Sequence, residues 1–142
     1  MNIVLEYAVL LADRYADCRK RIMKEFSLTA AEIDILLFLA NNPDLDTAAL
    51  ISDIRKIPKS QVSLSVGTLC AKGLLDKAHA AGNKKSVHLT PTEAAKPVIE
   101  AGQAMQRDFG TLLFSGFSAE EKQTFLSLCK KIEHNLQTEG RA

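Results

Sequence analysis

No run of apolar residues in this chain approaches the roughly 18 that a membrane span needs. The opening stretch, MNIVLEYAVLLADRYADCRK, is apolar at first. It holds Glu6 and Asp13 and lacks a basic leading segment, so a secretory signal is not expected. The cysteines, Cys18, Cys70 and Cys129, are odd in number and widely spaced. No CxxC and no Cys/His pair at ligand spacing occurs, which argues against a zinc module and for a reducing cytoplasm. His79, His88 and His134 are scattered; the first two could approach each other across a hairpin, but a third ligand is missing. No cofactor or metal is expected. Neither a Ser/His/Asp set nor a carboxylate pair falls at useful spacing, and no room for a cofactor-binding fold is expected, so the chain does not read as an enzyme. Internal repeats and low-complexity tracts are absent too. Net charge is only +1, which argues against a generic polycation that coats nucleic acid and leaves specific binding through a local patch open.

What is present is a charge imbalance. Between Ile54 and Thr90, seven bases (Arg55, Lys56, Lys59, Lys72, Lys77, Lys84, Lys85) face one acid, Asp76, giving that segment +6 and leaving −5 for the remainder. A basic segment on an otherwise acidic protein is the footprint of a DNA-contacting surface. The length of 142 residues fits one domain with helical extensions, and 25% charged residues is ordinary for a globular protein.

Periodicity supplies the elements. From about Asn2 to Phe26, the residues Val4, Ala8, Leu11, Tyr15, Cys18 and Ile22 form one apolar stripe of a long helix. Thr29 and Glu32 make a capping box for a second helix, with Ile33, Leu36, Leu37 and Ala40 on one side and Asn41–Asp44 as its end. A short third helix is expected from about Thr47 to Arg55, with Asp46 as N-cap and Ala49, Leu50 and Ile54 inward. Pro58 or Lys59 begins a fourth, running to about Lys72, with Val62, Val66 and Leu69 inward and Gly73 after its end. Leu74–His79 and Ser86–Leu89 read as strands of a hairpin, turned at Gly82-Asn83. Thr90, Pro91 and Glu93 read as N-cap, N1 and N3 of a long helix reaching about Phe114, with Val98, Ala101, Met105, Phe109 and Leu112 on one face. Ser118 and Glu121 cap a final helix to about Gln137, with Phe125, Leu128, Ile132 and Leu136 inward.

The fold class is therefore mainly α (α+β): a winged helix-turn-helix DNA-binding lobe flanked by long N- and C-terminal helices. Residues 1–27 form the N-terminal helix, 28–90 the lobe and 91–142 the C-terminal helices. A recognition helix needs short polar side chains near its N-terminus, and Lys59, Ser60, Gln61 and Ser63 supply them. Gln61 can bond an adenine edge in two places, while Ser60 and the helix N-terminus can hold a phosphate. Thr68 is expected at the rim, and Lys84, Lys85 and His88 on the wing. The alternative for Ser60 is plain capping; for Gln61, Lys84 and Lys85 it is a solvated surface.

The pattern resembles the MarR family of transcription regulators. Leu28-Thr29 through Leu37, Ser60-Gln61-Val62-Ser63, Leu69-Cys-Ala-Lys-Gly73-Leu-Leu75 and Leu89-Thr90-Pro91-Thr92-Glu93 carry the resemblance, which covers nearly the whole chain. Two departures stand out. Leu64 occupies a recognition-helix position where many members have arginine. Asn83-Lys84-Lys85 stands near the place of the usual acidic-plus-arginine wing tip, on a shorter wing. Lysine keeps the charge but loses the guanidinium fork, so minor-groove insertion and base readout suffer more than phosphate contact.

The resemblance implies a cytoplasmic repressor that binds double-stranded DNA as a homodimer at a pseudo-palindromic operator, with half-sites about 10 base pairs apart. It implies a small-molecule effector in a cleft between the dimerisation helices and the lobe, for which Tyr7, Leu11, Tyr15, Phe38 and Met105 are candidate lining residues. One branch of the family senses hydroperoxides through a cysteine of the first helix. Cys18, with Tyr15 one turn away and Arg14, Arg19 and Arg21 nearby, is the redox candidate here, against inert packing as the alternative. A winged helix that pairs proteins without reading DNA is the other alternative.

Overall fold

The computed structural model describes residues 2–80 and 83–138, without the side chains of Ala80 and residues 83–86. The first helix, α1 (Ile3–Phe26), starts where the Asn2 side-chain oxygen accepts from the backbone N–H groups of Val4 and Leu5 at 3.2 and 3.3 Å. It stops at Ser27, which adopts the left-handed conformation at φ 54°. Helix α2 (Ala30–Asn41) opens on the expected capping box: Thr29 N–H donates to Glu32 Oε1 at 3.0 Å, and Glu32 N–H donates to Thr29 Oγ1 at 3.2 Å.

Sequence periodicity assigns α2 one apolar side, but the helix is buried nearly all round. Ile35, Phe38 and Leu39 are as deep as Ile33, Leu36 and Leu37, while Ala40 is only half-buried. A helix packed on several sides needs no polar stripe, so its periodicity says little about direction.

Helix α3 (Ala48–Arg55) is capped by Thr47, whose hydroxyl accepts from Leu50 N–H at 3.3 Å; Asp46, the expected cap, does something else. Its inward residues are Ala48 and Ile51, not Ala49 and Ile54. Ala48 and Ile51, three residues apart, share one face of the helix.

Helix α4 (Lys59–Ala71) buries Val62, Val66 and Leu69, as expected, and also Ser65. It ends in a complete Schellman arrangement. Leu74 N–H reaches Leu69 O at 2.9 Å and Gly73 N–H reaches Cys70 O at 3.0 Å, with Gly73 at φ 75°. A side chain at Gly73 would have to adopt a conformation that L-residues disfavour.

Strands β1 (Leu75–Ala80) and β2 (Asn83–Pro91) pair antiparallel, Leu75 opposite Pro91 and His79 opposite Val87, with a register shift between His79 and Ala80. Asn83 lies in the strand rather than in a turn; Ala81 and Gly82 fall outside the described residues. His88 lies opposite Ala78, so His79 and His88 point to opposite faces and do not meet. Thr90 and Pro91 are the last residues of β2, not the start of a helix. The chain turns instead at Thr92, whose hydroxyl donates to Gly73 O at 2.6 Å, passes through a 3-10 turn (Glu93–Ala95) and enters α5 (Lys96–Leu113). Thr90 is thus held by strand pairing, which outweighs its local capping preference.

Two compact units result, Met1–Arg107 and Asp108–Ala142. The first holds the core, centred on α2 with Ile22, Ile51, Val62, Leu69, Leu89 and Met105 around it. In the second, Ser118 and Glu121 form the expected capping box for α6 (Ala119–Thr138), at 2.9 and 3.0 Å. Phe114, Phe117 and Phe125 cluster edge-to-face. Phe125, Leu128, Ile132 and Leu136, expected to be inward, are exposed on the single chain. So are Val4 and Leu11 of α1 and Leu112 of α5. The apolar periodicity is real, but among the described residues these side chains are left exposed. Among the described residues, no helix is long and apolar enough to cross a membrane.

Gly102 brings α5 against α2. A Cβ there would lie 2.5 Å from Leu37 Cδ2 and 2.8 Å from Cδ1, inside a packed core. Gly102→Val should therefore lower stability by about 2–3 kcal/mol, the usual cost of overpacking. Urea unfolding checks this, and an unchanged midpoint would mean that Leu37 yields freely.

Candidate nucleic-acid interface

Pro58 is the N-cap of α4, and its carbonyl accepts from Gln61 and Val62 N–H, both at 3.0 Å. Ser60 is therefore not the cap. No side-chain cap bond is made at this end, which leaves the helix N-terminus, at the N–H groups of Lys59 and Ser60, open to an anion. Because Val62, Ser65, Val66 and Leu69 face the core, Ser60, Gln61, Ser63, Leu64 and Gly67 face outward and are exposed. Thr68 is half-buried, and its hydroxyl donates to Leu64 O at 3.1 Å. Lys59 is exposed at the start of the same helix.

Charge in the basic segment divides into two uses. Lys72 donates to Ser27 O at 3.0 Å and lies 4.0 Å from Glu32, and Arg55 lies 3.6 Å from Asp34. Both charges join helices. Lys56 and Lys77 are exposed, and Lys77 shares a shallow groove of about 300 Å³ with Lys59, Val62, Val66, Val87 and Leu89. Sequence reasoning counts Lys56 and Lys77 in the +6 but does not pick either as a DNA contact. The signal is there, since Lys56 precedes the Ile57-Pro58 turn between two helices. Lys84 and Lys85 lie in β2, but their side chains fall outside the described residues.

His88 is partly exposed and is engaged by Asp46. Its Nδ1 sits 2.8 Å from Asp46 Oδ1, and Leu89 N–H next to it donates to Asp46 O at 2.8 Å. With Thr47 bridging to His88, these contacts add a one-residue third strand that anchors the wing to the start of α3. Asp46 is thus used to hold the wing, which is why it does not cap the helix.

The five candidate effector residues separate. Tyr7 and Leu11 are exposed, and Met105 is buried in the core. Tyr15 and Phe38 do share a cleft, of about 90 Å³, with Asp34, Asn41, Arg55 and Gln106. Its polar lining is ordered. Arg19 Nη1 donates to both oxygens of Asp34 at 2.9 and 2.7 Å, Gln106 Nε2 donates to Tyr15 OH at 3.2 Å, and Asn41 Nδ2 donates to Gln106 Oε1 at 3.0 Å. Cys18 is half-buried and packs against the core, as a small apolar side chain would, and Arg19 beside it is engaged by Asp34. Cys70 and Cys129 are half-buried thiols as well. Among the described residues, no His/Cys/Asp/Glu group could hold a metal ion.

A family model described as MarR family matches residues 26–86, from the end of α1 into β2. Over 137 residues the chain is 24% identical to YybA of Bacillus subtilis (strain 168), an uncharacterised HTH-type transcriptional regulator, covering 96% of this chain and 91% of YybA. Solved structures share the fold. A protein described as a MarR-family transcriptional regulator from Listeria monocytogenes, complexed with a 26mer DNA, superposes with a TM-score of 0.84 at 20% identity, over 100% of this chain and 99% of that one. BpsR of Bordetella bronchiseptica, whose DNA binding is regulated by 6-hydroxynicotinic acid, superposes with a TM-score of 0.71 at 18% identity, over 93% and 99%.

Lys56 holds the left-handed conformation at φ 56°, a position that glycine takes at less cost. Lys56→Gly should therefore raise stability by about 0.5–1 kcal/mol while removing an exposed charge beside α4. Thermal melting and DNA titration on the same variant check both signs. A melting point that falls would show that the lysine side chain is structural.

Proposed function

We propose that this chain, whose residues 26–86 match the MarR family model, is a transcription regulator of that family that works as a homodimer and holds double-stranded DNA through α4 and the wing. The observation that carries this reading is the outward face of α4. Short polar side chains and an open helix N-terminus stand beside Lys56, Lys59 and Lys77, on a segment whose net charge is +6. Phosphates would be held by the lysines and first-turn N–H groups, and base edges would be met by Gln61 and Ser63.

One lobe touches too few bases to select a site. A two-fold dimer would double the contact and space the half-sites about 10 base pairs apart. The dimer reading is supported by the apolar side chains that the single chain leaves exposed: Ile3, Leu10 and Leu11 on α1, and Phe125, Leu128 and Ile132 on α6. A monomer would leave them in water, which soluble proteins rarely do over extended patches. Such a dimer, acting in the cytoplasm, represses wherever its site overlaps a promoter.

An effector would act at the Tyr15–Asp34–Arg55 cleft. Its present volume of about 90 Å³ is well below the 300–1,000 Å³ of ordinary ligand sites. Entry must therefore part α1 from α3 around Asp34, and α3 carries the turn that aims α4. That linkage would turn binding into a change of recognition-helix position.

Selection of bound sequences from a random DNA pool tests the whole reading. The expected product is an inverted repeat with half-sites one helical turn apart, bound by a dimer in sedimentation. Replacing Lys84 and Lys85 together with Ala should weaken binding to all sequences alike and reduce the salt slope by about one for each phosphate no longer held. Absence of binding at low salt would leave the protein-pairing alternative in its place.

A further inference from the structure

Leu64 has no role in the fold. It sits in the middle of α4, yet it is 72% exposed, more than any other large apolar side chain on the described surface. The inward stripe of Val62, Ser65, Val66 and Leu69 turns it away from the core. Its helical neighbours one turn to either side are Ser60, Gln61, Gly67 and Thr68. None of these is large and apolar, so nothing on the helix shelters it. A leucine left bare at the centre of a polar face costs solubility and returns nothing to the single chain.

The surroundings say what could cover it. Lys59 lies on the same helix, Lys56 precedes it, and Lys77 stands across the groove. Any partner that covers Leu64 meets these cations and the open N-terminus of α4, so it is polyanionic at its edge and apolar at its centre. Duplex DNA presents that combination in the major groove. Phosphates line the rim, and the apolar group on the floor is the C5-methyl of thymine. Gly67 lies one turn beyond, and a Cβ there would meet nothing within 4 Å, so the helix leaves space beside Leu64 for a close approach.

We propose that Leu64 is a specificity-determining residue that packs on a thymine C5-methyl group, one base-pair step along from the base that Gln61 contacts. The helix advances roughly 4.5 Å from Gln61 to Leu64, close to the 3.4 Å between stacked base pairs. The two side chains therefore reach neighbouring steps of one groove. Gln61 takes an adenine edge by hydrogen bonding, and Leu64 takes a methyl by apolar contact. The departure at Leu64 then replaces a cation's reading of guanine with a reading of thymine, and each half-site becomes A·T-rich at its centre. This inference rests on the DNA-binding reading above and adds the chemical identity of one contacted base.

The test uses the full chain and the operator enriched from the random pool. Each thymine of the half-site is replaced in turn by deoxyuridine, which deletes the methyl and leaves every hydrogen-bonding group in place. Wild-type protein should lose about four-fold affinity at one thymine position per half-site, the worth of one buried methyl. Leu64→Ala should bind the thymine operator more weakly and show no loss on deoxyuridine substitution at that position. Leu64 is exposed, so the variant should melt with the parent, which separates readout from folding. If the parent binds its operator but no thymine is sensitive, or if Leu64→Ala keeps the same sensitivity, the methyl contact is refuted while DNA binding stands. If the pool yields no bound sequence at low salt, the DNA-binding reading itself fails, and this inference with it.

Discussion

The rest of this structure depends on the burial of α2. A helix surrounded by protein cannot orient itself by keeping one face wet, so its few polar side chains set its neighbours' positions. Asp34 takes Arg19 of α1 at 2.7 Å and lies 3.6 Å from Arg55 at the end of α3. Asn41 bonds Gln103 and Gln106 of α5 at 3.1 and 3.0 Å. Glu32 closes its own cap and lies 4.0 Å from Lys72 at the end of α4. Apolar burial supplies the stabilisation, and these pairs choose which way each helix lies. In the mostly buried Arg19–Asp34 pair, loss of one partner is costly because the other stays desolvated.

That arrangement connects the cleft to α4 without a long pathway. Asp34 is both a wall of the cleft and the group that ties α1 to α3. Lys56 and Pro58 follow α3 directly and begin α4. The Arg19–Asp34–Arg55 contacts are therefore joined to the base of α4 through covalent chain and one short turn. At the other side, the Asp46–His88 contact and the Leu89–Asp46 backbone bond fix the wing to the start of the same helix. Helix α3, only eight residues long, positions both α4 and the wing.

Much of this was legible in the sequence, for reasons that can be named. Capping boxes at Thr29 and Ser118 and the glycine at the end of α4 are local devices, and local chemistry is what a sequence displays. The helix order followed from them together with apolar periodicity, and the hairpin from two short strand-like runs. The misreadings share a different cause. Asp46 looks like a cap until its pairing with His88 is known, and Thr90 looks like a cap until β2 is seen to extend through it. In both, a contact from distant sequence claimed a residue that local preference had assigned. Tyr7 and Leu11 lie exposed on the single chain for a related reason, because a periodic stripe on α1 does not say which part of it the same chain covers. Lys72 and Arg55 were legible as charge but not as partners of α2. The outward residues Ser60, Gln61 and Ser63 were placed correctly because Val62, Val66 and Leu69 fix the rotation of α4.

The make-up of α4 bears on why its outer face could be given to a partner. Serine, valine, threonine and glycine dominate Lys59–Ala71, and these are mediocre to poor helix formers. Isolated, such a segment would scarcely be helical. What holds it is the inward stripe and the Schellman closure from Leu69 to Leu74, neither of which involves Ser60, Gln61, Ser63, Leu64 or Gly67. The outer residues can therefore change with little effect on the fold, and the fold gives no reason for the particular ones present. Ser60, Ser63 and Gly67 on that face lower helix stability and its largest side chain is an uncovered leucine, so the needs of the fold do not account for its composition.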